Sequence, residues 1–265
     1  MTWPLTKPAK AAVLCIAELS GCYASYAQAE TPRPALDKEE QGLLQRALGQ
    51  GVVGSPVAAQ RLDNPAALLA PADRTMTYRL LDAEHSKQTE IHQIAASPAP
   101  QGNRLWQHRL GKREVRRLVE LADGSLAVSA VDDFGDGVAA RYSPPRPFLV
   151  KGMIPGEQRE ASLSVQAFDL EQSDRLLYSG SLKVAVAYLG AYQVTVPAGR
   201  YDAALVRYAA RGTIGPADVD TTQYLFLSPG TGIVAAVESR EVSAFTVYHR
   251  SENLAAVLTS VSDPQ

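Results

Sequence analysis

Leu182-Lys-Val-Ala-Val-Ala-Tyr188-Leu-Gly190-Ala-Tyr192-Gln-Val-Thr-Val196-Pro197-Ala-Gly199-Arg-Tyr201-Asp-Ala-Ala-Leu-Val206-Arg-Tyr208 decides the fold of this 265-residue chain. Even positions from Leu182 to Val196 carry Leu, Val, Val, Tyr, Tyr, Val and Val, interrupted only by Gly190, while odd positions are smaller or polar. A period of two places one set on a core-facing side of a strand. Pro197 removes a backbone donor and Gly199 permits an unusual φ, so the chain reverses there and a second strand follows from Tyr201. A long antiparallel hairpin is predicted.

Outward from it the pattern persists. Thr75 to Leu81, Lys87 to Ile94, Arg104 to Leu110, Arg113 to Leu121, Leu126 to Val131 and Ala161 to Phe168 read as short strands separated by turn residues. Gln223 to Leu227, Ile233 to Ser239, Val242 to His249 and Leu254 to Val261 continue the series. Gly51 to Pro56 reads as loop, and Pro144-Pro145-Arg146-Pro147 through Gly156 as an irregular crossing. Asp37 with Glu40 three residues on starts an amphipathic helix through Leu43, Leu44, Ala47 and Leu48. Asn64-Pro65 opens a second brief helix. The fold predicted is mainly β: an antiparallel curved sheet, sandwich or incomplete barrel with one or two short N-terminal helices. It divides into residues 1–29 as an export signal, 30–74 as linker and short helices, and 75–265 as a single β-domain.

Val194-x-Val196-Pro197-Ala198-Gly199-x-Tyr201, followed by Tyr224-x-Phe226-x-x-Pro229-Gly230-x-Gly232-Ile233-Val234, resembles the signature of TapB-like bacterial envelope domains over roughly residues 180–261. The resemblance implies a mostly β envelope domain with no established chemistry. It supplies no catalytic residue.

The leader points the same way. Lys7 and Lys10 precede a short apolar run, Ala11 to Ala17, and then small residues, the order of a secretory signal. Leu19-Ser20-Gly21-Cys22 reads as a lipobox, with the Cys22 thiol acylated; Ala27-Gln28-Ala29 offers an ordinary cleavage site instead. The location expected is periplasm or outer membrane. The only cysteines, Cys15 and Cys22, lie in this leader, so the domain is left without a disulfide or thiol nucleophile.

Composition and motifs narrow the chemistry. With 26 Lys plus Arg against 28 Asp plus Glu, the chain lacks the charge of a dedicated nucleic-acid binder. The acidic turn Asp132-Asp133-Phe134-Gly135-Asp136 departs from an EF-hand, since Ser143 stands where a glutamate is needed. His85, His92, His108 and His249 lack zinc-ligand spacing, although His92 and His108 sit on separate strands that can meet. No nucleophile elbow or phosphate loop occurs. No cofactor, metal or catalytic residue is assigned.

Two features remain as binding candidates. Arg104, Arg109, Lys112, Arg113, Arg116 and Arg117 form a local basic run that either meets membrane phosphates or is a solvated strand face. Tyr188, Tyr192, Tyr201, Tyr208 and Tyr224 either line a cleft or fill cross-strand core positions. Tyr188, Tyr192, Tyr201, Arg113 and Arg116 are the ligand-binding set these readings nominate. The function expected is that of a non-enzymatic cell-envelope protein that binds a partner, an envelope protein or lipid, or supports envelope integrity. A lipid or lipoprotein carrier and a hydrolase drawn from the histidines and aspartates are the alternatives. If the lipobox is used, Cys22→Ala changes both the membrane fractionation and the mature mass; unchanged fractionation and mass would sink that reading.

Overall fold

The computed structural model describes residues 36–70, 74–81, 88–97, 104–244 and 248–262. Helices α1 (Lys38–Leu48) and α2 (Pro65–Leu69) flank β1 (Val53–Val57). Then come β2 (Arg74–Leu80), β3 (Thr89–Ser97), β4 (Leu105–Leu110), β5 (Glu114–Glu120), β6 (Leu126–Asp133) and β7 (Val138–Leu149). The chain finishes with β8 (Gln158–Asp169), β9 (Leu176–Val196), β10 (Gly199–Ile214), β11 (Ala217–Ser228), β12 (Gly232–Ala244) and β13 (Tyr248–Ser262). The leader, Cys22 and His85 lie outside the described residues.

Each strand from β2 to β13 pairs antiparallel with its chain neighbour, and β13 returns to pair with β2, from Ala256 opposite Leu80 to Ser262 opposite Thr75. The result is a closed twelve-stranded up-and-down barrel rather than an open or incomplete one. Closure removes both sheet edges. A local reading misses it because the sealing pair joins the first and last strands of the domain. A ring of this size is wider than side chains from small strands can fill. Long residues fill it: Tyr78, Trp106, Arg116, Phe148 and Tyr208 are all buried, and the Phe148 and Tyr208 rings stack at 5.6 Å.

The central hairpin forms with its reversal at Pro197-Ala198, but its alternation does not mark one face. Val206 lies opposite Tyr188 while Leu205 lies opposite Gly190, so Leu189 is an extra residue. This bulge inverts the phase. Leu182, Val184, Val186 and Tyr188 point into the barrel, whereas Tyr192, Val194 and Val196 point outward, into a second apolar layer beneath the N-terminal segment. Gly190 holds φ +114°, a conformation that side chains strain.

Three further expectations are corrected. Residues 51–56 are not all loop: β1 pairs with β9 from Val53 opposite Val194 to Val57 opposite Ala191, occupying the edge that β8 leaves. Its Pro56 is tolerated because the strand's other side is free. Pro144 to Pro147 are strand rather than irregular crossing. The β7–β8 ladder ends at Ser143 opposite Ser164, and beyond it β7 pairs with β6 alone among the described strands, so one side of this segment needs no donors. The break read between Ser239 and Val242 is absent, because β12 runs unbroken between β11 and β13.

Helix α1 lies outside the barrel wall and buries Leu44 and Leu48. Its capping box is the predicted one, Asp37 with Glu40. Glu40 also accepts from Arg207 at 2.5 Å and from the Tyr224 hydroxyl at 3.2 Å, and the Leu36 N–H donates to the Tyr192 hydroxyl at 3.0 Å. Residues 60–70 cross one end of the barrel. The Leu62 N–H bonds the Met153 carbonyl, and the Gly230 N–H bonds that of Ala67. Gly190→Ala should cost about 1–3 kcal/mol through its φ alone; an unchanged chemical-denaturation midpoint would show that the bulge can shift to a neighbouring residue.

Candidate functional site

Alternation carries polar residues into the barrel as well as apolar ones. Along β3, Glu90 and His92 share the inward face with Ile94; along β5, Glu114 and Arg116 share it with Leu118. Cross-strand register sets His92 opposite Leu110 and His108 opposite Arg116. From the facing wall come Gln223 and Glu238. Together these groups enclose a cavity of about 30 Å³, room for a water molecule or two.

The contacts in this layer are specific. Glu90 meets His92 Nε2 at 2.6 Å, and the Arg113 guanidinium lies 3.5 Å from Glu90 and 3.8 Å from Glu114. Arg116, 4% exposed, donates through Nε to Glu114. His92 packs on Tyr78 with ring centres 4.3 Å apart and meets His108 edge-on at 5.3 Å. His108 is fully buried, and neither of its ring nitrogens has a hydrogen-bond partner; the same is true of His92 Nδ1. Such orphaned groups are costly unless water reaches them.

Electrostatics follow from burial against pairing. Burial pushes both imidazoles below their ordinary value, His108 well below it, and for His92 the Glu90 bond opposes the effect without cancelling it. Burial would raise the Glu114 carboxyl, but Arg116 outweighs it and holds that carboxyl down at about 2. Burial acts on Glu90 in the same sense and is overcome by His92 and Arg113. The layer is thus two neutral histidines among ionised, mutually paired carboxylates and guanidiniums.

Nearer the opposite, open end, the β6–β7 turn reaches across the ring. Asp136 bonds Arg250 at 2.7 Å and lies 3.6 Å from Arg240, over a concavity of about 270 Å³. Asp133 closes its own turn by accepting from the N–H groups of Gly135 and Asp136, and Asp132 pairs with Arg117. The acidic loop is a turn with arginine partners.

The nominated ligand set does not converge. Tyr188 donates to the Gln60 carbonyl at 2.9 Å inside the plugged end. Tyr192 stands on the opposite face of β9, and Tyr201 donates to Ala198 at 3.2 Å beside the hairpin turn. They fill cross-strand positions and line no common cleft. Arg113 and Arg116 do come together, with His92 and His108, while His249 sits apart in a concavity near the β10–β11 and β12–β13 turns, with Asp218 and Ser243. Glu90, Glu114, Gln223 and Glu238 were missed. The signal was Glu-x-His and Glu-x-Arg at strand spacing, polar pairs in the phase reserved for core residues.

No serine, threonine or cysteine lines the cavity among the described residues, and the one hydroxyl in that lining, that of Tyr78, donates to the Ile233 carbonyl at 2.6 Å. No described group of histidine, cysteine and acidic residues is arranged to hold a metal ion. The chain matches no protein-family model and no curated protein. It is similar in fold to a Bacteroides fragilis protein described as exported and of YmcC-like fold, with TM-score 0.41, 14% identity, 78% of this chain and 100% of that one covered. It is also similar to a protein described as a lipoprotein from Parabacteroides distasonis, with TM-score 0.34, 12% identity and coverage of 78% and 100%. The hypothetical lipoprotein YmcC of Escherichia coli gives TM-score 0.38, 9% identity and coverage of 88% and 100%.

The buried histidines make stability pH-dependent in a definite direction. Their folded-state affinity for protons is below that of the unfolded chain, so the unfolded chain takes up protons first as pH falls. Stability is full above about pH 6.5 and declines below it, by up to about 1.4 kcal/mol per pH unit for each histidine. Glu90 and Glu114, whose folded values are depressed, add to the loss only below the ordinary carboxylate range. Urea unfolding between pH 7.5 and 5 should therefore show a slope that His108→Leu roughly halves, whereas a slope indifferent to that substitution would refute the assignment.

Proposed function

We propose that this chain is an exported cell-envelope protein that works without catalysis, as a closed scaffold binding its partner on the outside of the barrel. The filled interior carries this reading. Among the described residues side chains occupy the ring, residues 60–70 cross one end, and the cavity in the polar layer, at about 30 Å³, is far below the volume of an acyl chain. An acyl carrier needs an open apolar concavity, and the tyrosine and valine face that would supply one is instead divided between two packed layers by the bulge at Leu189. The leader at residues 1–29 supports the location, with Cys22 acylation or cleavage after Ala29 as the two routes.

For catalysis, that no serine, threonine or cysteine stands beside the Glu90–His92 pair among the described residues supports the same view. Binding without chemistry needs a rigid surface, and a closed barrel with paired strands throughout provides one. Native mass spectrometry of the gently purified protein, compared with the denatured sample, should give equal masses. A stoichiometric phospholipid or fatty acid released on denaturation would overturn the filled-scaffold reading in favour of a carrier.

A further inference from the structure

Strands β2 to β5 sort their charges by face. Glu90 and Glu114 occupy inward positions, while Arg79, Arg109 and Arg117 occupy outward ones. Among the described residues, the outward positions of these four strands hold no carboxylate. Arg117 is engaged by Asp132 of β6. Arg79, Arg109 and, in the β4–β5 turn, Lys112 are exposed and have no anionic partner among the described residues. Four exposed arginines elsewhere, Arg61, Arg175, Arg211 and Arg250, are ion-paired, whereas Arg46, Arg141 and Arg200 stand outside any ion pair among the described residues.

The register places an apolar group among these cations. Thr89 lies opposite Arg79 and Gln93 opposite Arg109, so Ile91, between them on β3, has an arginine diagonal to it on each side. The Gly111 N–H bonds the Ile91 carbonyl, which brings the turn bearing Lys112 to the same place. Ile91 is 51% exposed, among the most exposed large apolar residues of the chain. Cations on a sheet often guard an edge against aggregation. That role does not apply here, because β2 to β5 are interior members of a closed ring.

We propose that this outer face of β2–β4 docks on the anionic phosphate surface of a phospholipid membrane, Arg79, Arg109 and Lys112 meeting headgroup phosphates and Ile91 entering the interface. Charge complementarity selects the partner: three cations, unpaired among the described residues, around one apolar side chain match a surface that is anionic outside and hydrocarbon beneath. The proposal rests on the envelope location argued above and is independent of whether Cys22 is acylated. Each cation contributes a factor of about five to partitioning.

The test uses the protein from Glu30 onward, which lacks Cys22 so that no acyl chain contributes, sedimented with vesicles of phosphatidylcholine alone or with about one third phosphatidylglycerol. Binding is expected to the anionic vesicles only and to weaken at high salt. Arg79→Gln/Arg109→Gln/Lys112→Gln should reduce it about a hundredfold, and Ile91→Ser less. Lys183→Gln/Arg200→Gln, which removes exposed cations elsewhere, should leave it unchanged. All substituted side chains are exposed, and matching thermal unfolding confirms the fold of each variant. Equal binding to neutral vesicles, no binding to anionic ones, or equal losses in both sets of variants would overturn the proposal. So would preference for a soluble acidic polysaccharide over vesicles. A failure here with a bare polypeptide mass leaves the filled scaffold standing; a bound lipid with intact vesicle docking removes the scaffold reading alone.

Discussion

The ladder between β2 and β13 is the constraint on which the other features depend. It joins Thr75 to Ser262 and Leu80 to Ala256, so the domain cannot form its wall until its last strand has been placed. Until then both termini of the sheet are open edges. Once it forms, an inside and an outside exist, and every alternating strand must deliver one set of side chains to each. The extra residue Thr259 lets the two strands meet in register, and its hydroxyl donates to the Thr77 carbonyl at 2.9 Å.

Width then governs the interior. A twelve-stranded ring must be filled by large residues, and long cationic and aromatic side chains reach further than aliphatic ones. Arg116, Tyr208 and Tyr78 fill the centre at the cost of burying polar groups, and each brings a partner with it. Arg116 bonds Glu114, Tyr208 donates to the Phe148 carbonyl, and Tyr78 donates to Ile233 at 2.6 Å. Burial accordingly raises the Tyr78 and Tyr208 hydroxyls far above their usual range, which keeps them donors at any physiological pH. Both nitrogens of His108 depart from this pattern, and water in the adjacent cavity is their natural partner.

The bulge at Leu189 shows how one strand serves two cores. Before it, β9 faces the barrel interior; after it, the same even-numbered residues meet Leu36, α1 and β1 outside. The outer layer is fastened by charge as well as by apolar contact, since Glu40 reaches both Arg207 and Tyr224. The N-terminal segment is therefore part of the fold, although it contributes no strand to the ring.

Local physics alone dictated the secondary structure here. Alternation found most of the strands, the Asp37–Glu40 box found α1, and Asn64-Pro65 found α2, because each depends on neighbours within a few residues. The His92–His108 meeting was also foreseeable from strand placement. Long-range pairing decided what those elements mean. Closure by β2 and β13, the inversion at Leu189 and the strand character of Pro144 to Pro147 depend on which strand lies alongside, and a period of two is silent about that. The same holds for the charged run at 104–117. Sequence shows six cations in a row of strands; only the ring separates Arg116, inside with Glu114, from Arg109 and Lys112, outside facing water, because a residue's face has no meaning until the wall is closed.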